Sequence, residues 1–180
     1  DAETAALAPR ARALVTFGIA SPDAMIGIEP GSVTEGPTSL TATVLDRRDG
    51  SQHTLALQVP GRHNLFNALA AIAACNAAGV AVSTAVAALG SFAGLARRFD
   101  IVGTSARGVT VIDDFGHNPD KVAATLATLK AHPGRVIAFF QPHGYGPLRQ
   151  MGHELAETFA RLLGPDDLTI LCDPVYFGGS

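Results

Sequence analysis

A chain of 180 residues that is 47% hydrophobic and 16% charged, with positive mean hydropathy, can bury a core as one full domain or two small ones and lacks the composition of a disordered segment. A formal net charge of -3 without a long Lys/Arg cluster excludes the electrostatic footprint of a nucleic-acid partner. The longest apolar stretch, Leu65 to Val82, is mostly alanine and is broken by asparagines and Gly79, so it makes a poor membrane span, and no basic-then-apolar start marks a signal peptide.

The alanine-rich Asp1 to Arg10 reads as the tail of a helix, so the chain is expected to begin mid-domain. Leu14 to Phe17 is a short apolar run ended by Gly18, and Leu40 to Leu45 is a second strand candidate. Asp49-Gly50 is a turn signal, and Thr54 to Val59 places Leu55, Leu57 and Val59 on one face. Residues 39 to 59 therefore predict an antiparallel hairpin closed by Pro60-Gly61. From Asn64 the period becomes helical through Leu65, Leu69 and Ile72, with Gly79 where a C-terminal cap belongs, and a second alanine-rich helix covers Ser83 to Leu89.

After Arg98 the pattern predicts strand Val109 to Asp113, helix Pro119 to Ala131, strand Arg135 to Phe140, helix Leu148 to Leu163 and strand Leu168 to Cys172. Asn118 can cap the first of these helices and Pro119 suits its first position. Val122, Leu126 and Leu129 form the buried stripe of that helix, and Leu148, Met151, Leu155, Phe159 and Leu162 that of the next. The fold class is α/β, a β-hairpin with helices followed by a Rossmann-like βαβαβ unit whose alternation implies a parallel sheet. The change of pattern puts a boundary near Ala96, giving domains 1–96 and 97–180. Cys75 and Cys172 lie in apolar runs and read as small buried hydrophobes of a reducing compartment, which points to the cytoplasm.

In an open parallel sheet, ligands bind beyond the carboxyl ends of the strands. Three polar loops are expected there, with Asp113, Asp114, Phe115 and His117 in the first, Gln141, His143 and Tyr145 in the second, and Asp173 and Tyr176 in the third. His117 precedes a capped helix start that favours an anion such as phosphate, or else it only orders the loop. Asp113 or Asp114 can accept from ribose hydroxyls, but adjacent residues at a strand end face opposite ways, so one of them is structural. Asn64 and Asn67 share one helical face and can offer a donor and an acceptor to a purine edge; alternatively Asn64 is a helix cap and Asn67 is solvated. Arg97 and Arg98 offer a cation to phosphate or form a solvated surface pair. No GxxxxGK[ST] phosphate loop, dinucleotide fingerprint or cysteine zinc spacing occurs.

Four segments, in order, carry a resemblance. Gly61-Arg62-His63-Asn64 with Asn67-Ala68 resembles the G-x-H-N-x-x-N-A helix start of the Mur ligases, and Arg97-Arg98-Phe99-Asp100 looks like their RRF(E/D). Val111 to Pro119 is similar to their viDDYgHhP, and Phe140-Gln141-Pro142-His143 matches the fQPH of the branch that adds L-alanine to UDP-N-acetylmuramate. The resemblance implies the latter part of a central ATPase domain and most of a C-terminal ligase domain, with the phosphate loop and a magnesium-binding glutamate in the part that precedes the match. It also implies ATP and Mg2+ as cofactors, and UDP-N-acetylmuramate plus an amino acid or short peptide as partners. The reaction would be amide formation through an acyl phosphate, with no turnover by this stretch alone.

By the same resemblance Asn64 and Asn67 would hold adenine beside Phe115, and Asp114 would meet the ribose. Arg98 and His117 would meet the phosphates as the catalytic pair, and His143, Tyr145, Asp173 and Tyr176 would line the site of the incoming amine. One departure leaves the added group open: the alanine branch continues QPHRYSR, whereas this chain has Gly144, then Gly146-Pro147, with Arg149 the nearest cation. A divergent alanine ligase, a recycling ligase that adds a whole peptide, a ligase-like paralogue, a non-catalytic nucleotide-binding or regulatory module and a metal-dependent hydrolase built on His117, His143 and aspartates are the alternatives.

Overall fold

The computed structural model describes residues 6–11, 13–142 and 144–174. Its contacts separate Asp1–Ala93 from Gly94–Ser180, and each unit has its own apolar core. Of the helical tail expected over residues 1–10, residues 1–5 lie outside the described residues, and a 3-10 turn covers Ala8–Arg10.

In the first unit the chain forms β1 (Phe17–Gly18), β2 (Ile26–Ile28), β3 (Thr34–Glu35), β4 (Leu40–Asp46) and β5 (Ser51–Leu57), then α1 (Arg62–Ala77) and α2 (Val82–Leu89). The hairpin is β4 and β5, in antiparallel register from Leu40 opposite Leu57 to Asp46 opposite Ser51. Gly50 closes it at φ 75°, a conformation glycine adopts without a steric penalty. The apolar run before Gly18 pairs only at Phe17 and Gly18, parallel to Ile26 and Gly27. Alternation along the hairpin puts Leu40, Ala42, Val44, Leu55 and Leu57 inward, where they meet Leu65, Leu69 and Ile72 of α1 in one core. Gly79, at φ 88°, ends α1, with its N–H donating to the Asn76 carbonyl and that of Val80 to the Cys75 carbonyl.

The sequence expectation for the cysteines does not hold: Cys75 is exposed and Cys172 half-buried. Cys75 lies off the stripe of α1 that Leu65, Leu69 and Ile72 bury. The buried Asp46 is held by the guanidinium of Arg48, which also donates to Asn76 Oδ1 at 2.7 Å and so ties the hairpin end to α1.

The second unit contains β6 (Asp100–Thr104), β7 (Thr110–Asp113), α3 (Pro119–Lys130), β8 (Ile137–Phe140), α4 (Tyr145–Leu162) and β9 (Leu168–Leu171). The expected strand and helix order is present, and β8 and β9 form a parallel ladder from Ile137 opposite Leu168 to Phe140 opposite Leu171. The first strand of that series pairs differently: β7 bonds antiparallel to β6, which periodicity does not reveal. The reason is local, since Ser105 and Gly108 (φ 79°) close a tight turn and the hydroxyls of Thr104 and Thr110 meet at 3.0 Å across it. Val122, Leu126, Leu155 and Phe159 of α3 and α4 pack with Ala138 and Phe140 of β8.

Asp167 anchors the lower end of this unit. Its carboxylate accepts from Lys130 Nζ at 2.7 Å and from the N–H groups of Val136 and Gly164. These donors, Lys130 first, hold its pKa down at about 2. Because the folded value lies below the unfolded one of about 3.9, the stabilisation is complete above about pH 4 and is lost as pH falls toward 2. Amide exchange in α4 is expected to accelerate over that window, and Asp167→Asn should flatten the dependence. A wild-type chain with equal α4 protection at both ends of the window would contradict it.

Candidate functional site

The second unit joins two separated segments into one surface. Residues 95–100 form a tight turn in which Arg97 and Phe99 take positive φ, 61° and 50°. Such a conformation costs a non-glycine residue on the order of 1–3 kcal/mol and persists only where the surroundings enforce it. Here they do. The Phe115 N–H donates to the Arg97 carbonyl at 2.8 Å, the Phe99 N–H donates to Asp114 Oδ1 at 3.2 Å, and the Arg97 N–H donates to Asp100 Oδ2 at 3.3 Å. The Phe99 side chain is 6% exposed, so its burial adds an apolar anchor to these bonds.

Arg97 lies over the Phe115 ring at 4.9 Å and within 3.8 Å of Asp113 Oδ2. Both partners are well exposed, so the ion pair adds little to stability and mainly orients the side chains. Arg98, between the two left-handed residues, is exposed, and among the described residues it enters no salt bridge. The two aspartates separate as alternation demands: Asp113 is exposed, whereas Asp114 is half-buried and also accepts from Thr125 Oγ1 at 2.5 Å.

His117 sits where the loop enters α3. Its Nδ1 lies 3.0 Å from the Phe115 carbonyl; a carbonyl only accepts, so Nδ1 carries the proton in this contact, and the ring tilts against Phe115 at 5.1 Å between centroids. Asn118 caps α3 through Oδ1, accepting from the Lys121 N–H at 2.9 Å, with Pro119 at the first helical position, as the sequence predicts. A cavity of about 140 Å³ lies behind the loop, lined by Ile112, Asp114, Thr125, Leu126, Phe140 and Phe159 among others. It is smaller than the roughly 300–1,000 Å³ of a pocket for a drug-sized ligand.

In the first unit Asn64 and Asn67 occupy the first turns of α1. The residue before that helix is Gly61, at φ 92°, and no side chain caps it. The cap role considered for Asn64 is therefore overturned: its Nδ2 turns back to the Pro60 carbonyl at 2.7 Å because the helix starts two residues earlier than its apolar period suggests. Asn67 is exposed.

Of the residues expected to receive the amine, Tyr145 is exposed at the start of α4 and Asp173 is exposed just beyond β9. Both follow carboxyl ends of the parallel pair. His143 and Tyr176 lie outside the described residues. Thr125 escapes a search for motifs; its signal is a hydroxyl beside the apolar positions Val122 and Leu126 of α3. Among the described residues no group of three or more His, Cys, Asp and Glu is placed to hold a metal ion, and no helix is long and apolar enough to cross a membrane.

Comparison with known proteins adds to this geometry. Residues 97–174 match the family described as Mur ligase, glutamate ligase domain. The UDP-N-acetylmuramate–L-alanine ligase of Agrobacterium fabrum is 38% identical over 172 residues, which is 93% of this chain and 35% of that relative. The crystal structure of the UDP-N-acetylmuramate–alanine ligase of Thermotoga maritima superposes with a TM-score of 0.64 at 27% identity, covering 88% of this chain and 39% of that one. The MurF ligase of the same organism, solved in complex with ADP, gives 0.69 at 18% identity, covering 96% and 42%, a likeness of fold alone. The chain thus spans about a third of the length of the curated relatives it matches.

Proposed function

The chain belongs to the Mur ligase family, and from that premise we propose that it supplies adenine, ribose and phosphate contacts to an ATP-dependent ligase that forms an amide on UDP-N-acetylmuramate. The observation that carries the reading is the hydrogen-bonded union of residues 97–100 with residues 113–118, which sets an exposed cation, a carboxylate and a helix start on one surface.

These residues fit a nucleotide by their donor set. Asn67 offers an exposed amide able to donate to and accept from a purine edge, assisted by Asn64. Asp114 uses two acceptor positions internally, and a carboxylate has about four, so ribose hydroxyls have acceptors left. Phe115 offers a ring, and Arg98 and His117 supply charge and hydrogen bonding for phosphate. ATP, when bound, would activate the muramyl carboxylate as an acyl phosphate that an amine attacks. The chain's own part is positioning and charge neutralisation. Tyr145 and Asp173 would face the amino acid or short peptide, a role the family resemblance extends to His143 and Tyr176, in the cytoplasm. Magnesium is assigned no step by these residues.

Nucleotide titration of the 180-residue chain tests this. ATP and adenosine are expected to bind weakly and with similar affinity, since this chain holds the proposed base and ribose contacts but no GxxxxGK[ST] loop to hold the triphosphate, and to shift the amide resonances of Asn67 and Phe115. A strong preference for ATP, or no shift at either residue, would contradict the assignment. A non-catalytic nucleotide-binding module is the second reading, and it is separated by a hybrid in which this chain replaces the matching third of the Agrobacterium fabrum relative. ATP-dependent coupling of UDP-N-acetylmuramate to L-alanine or a short peptide supports the ligase; a folded hybrid that binds ATP without coupling supports the module.

A further inference from the structure

Two threonines of α3, three residues apart, spend their hydroxyls differently. Thr128 Oγ1 donates to the Ala124 carbonyl at 2.9 Å, the local bond open to any helical threonine. Thr125 forgoes that bond and donates to Asp114 Oδ2, while Asp114 Oδ1 accepts the N–H of Phe99. The Asp114 carboxylate thereby links the helix to the turn at Phe99, 15 positions before Asp114 in sequence, and that turn holds two non-glycine residues at positive φ. Strain of this kind persists only where other bonds dictate the backbone.

We propose that Thr125 is a positioning residue for Arg98. By fixing Asp114 it holds the Phe99 N–H, keeps Arg97 and Phe99 left-handed, and so sets the direction in which the exposed Arg98 between them leaves the surface. The proposal rests on the reading that Arg98 meets nucleotide phosphate. Without the Thr125 hydroxyl the Asp114 carboxylate can rotate, Phe99 can relax to negative φ, and Arg98 would then point elsewhere while the helix packing of Val122 and Leu126 persists.

The test begins on the 180-residue chain by NMR. Thr125→Val, nearly the same shape, is expected to raise hydrogen exchange at the Phe99 amide about tenfold, the scale of one charge-assisted hydrogen bond, and to weaken the intraresidue HN–Hα contacts that mark positive φ at Arg97 and Phe99. Thr125→Ser, which keeps the hydroxyl, should stay within about twofold of wild type. Unchanged exchange and unchanged φ in Thr125→Val would overturn the proposal. In the hybrid ligase, Thr125→Val should raise KM for ATP or lower kcat alone but add nothing once Arg98 is alanine, because both act through one group. Additive losses would assign Thr125 a general structural role and overturn the link to Arg98. An Arg98→Ala hybrid with wild-type kinetics would instead sink the nucleotide reading, with the Phe99 exchange still deciding whether Thr125 holds the turn.

Discussion

Replacing Arg98 by alanine in the hybrid ligase is expected to lower kcat by about 10²- to 10³-fold, the usual consequence of removing one preorganised donor from a charge-stabilising site. The size follows from placement: Arg98 stands between Arg97 and Phe99, whose backbones are bonded to Phe115 and Asp114, so its starting point is fixed before any ligand arrives. Arg98→Lys should recover only part of the loss, because an ammonium lacks the fork that meets two phosphate oxygens at once. Steady-state kinetics with ATP varied would separate the effects. A loss confined to KM would make Arg98 a binding residue only, and wild-type kinetics would remove it from the site.

Leu65→Ala should be among the most damaging single changes to the first unit, lowering its stability by about 2–5 kcal/mol. Leu65 has no exposed surface and packs in a continuous core with β2, β4 and β5. The close-packed core around it leaves little room for collapse, so the lost side chain becomes a cavity. Urea unfolding monitored by amide signals of β4 and β5 should show a lower midpoint with an unchanged slope. Asn67→Ala, two residues along and exposed, should leave that midpoint nearly unmoved while weakening adenosine binding. A shift below about 1 kcal/mol for Leu65→Ala would mean that α1 does not depend on this contact.

The two experiments probe different kinds of legibility. The hairpin over β4 and β5, both long helices of the second unit and the Asn118 cap can be read from sequence because each rests on local chemistry: turn residues, a period of two or of 3.6, and a helix-starting Asn-Pro pair. The short strands β2 and β3 and the pairing of β6 with β7 are not legible that way. β2 runs Ile-Gly-Ile, buried throughout and too short for a period, and β6 is exposed over most of its length. Cys75 misled because an apolar run on a helix still has an outer face.

The sequence by itself determined which residue types stand at which spacing: the paired asparagines of α1, the Arg-Arg-Phe turn, the Asp-Asp-Phe-Gly-His loop and its capped helix, and with them the family. Tertiary structure alone decided how those residues divide the labour. It sent the Asn64 amide back to Pro60, turned Asp114 inward to Phe99 and Thr125, left Asp113 facing Arg97, and forced two side-chain-bearing residues into left-handed backbone around Arg98. These outcomes depend on hydrogen bonds between positions far apart in the chain, and no local preference of arginine, phenylalanine or aspartate encodes them.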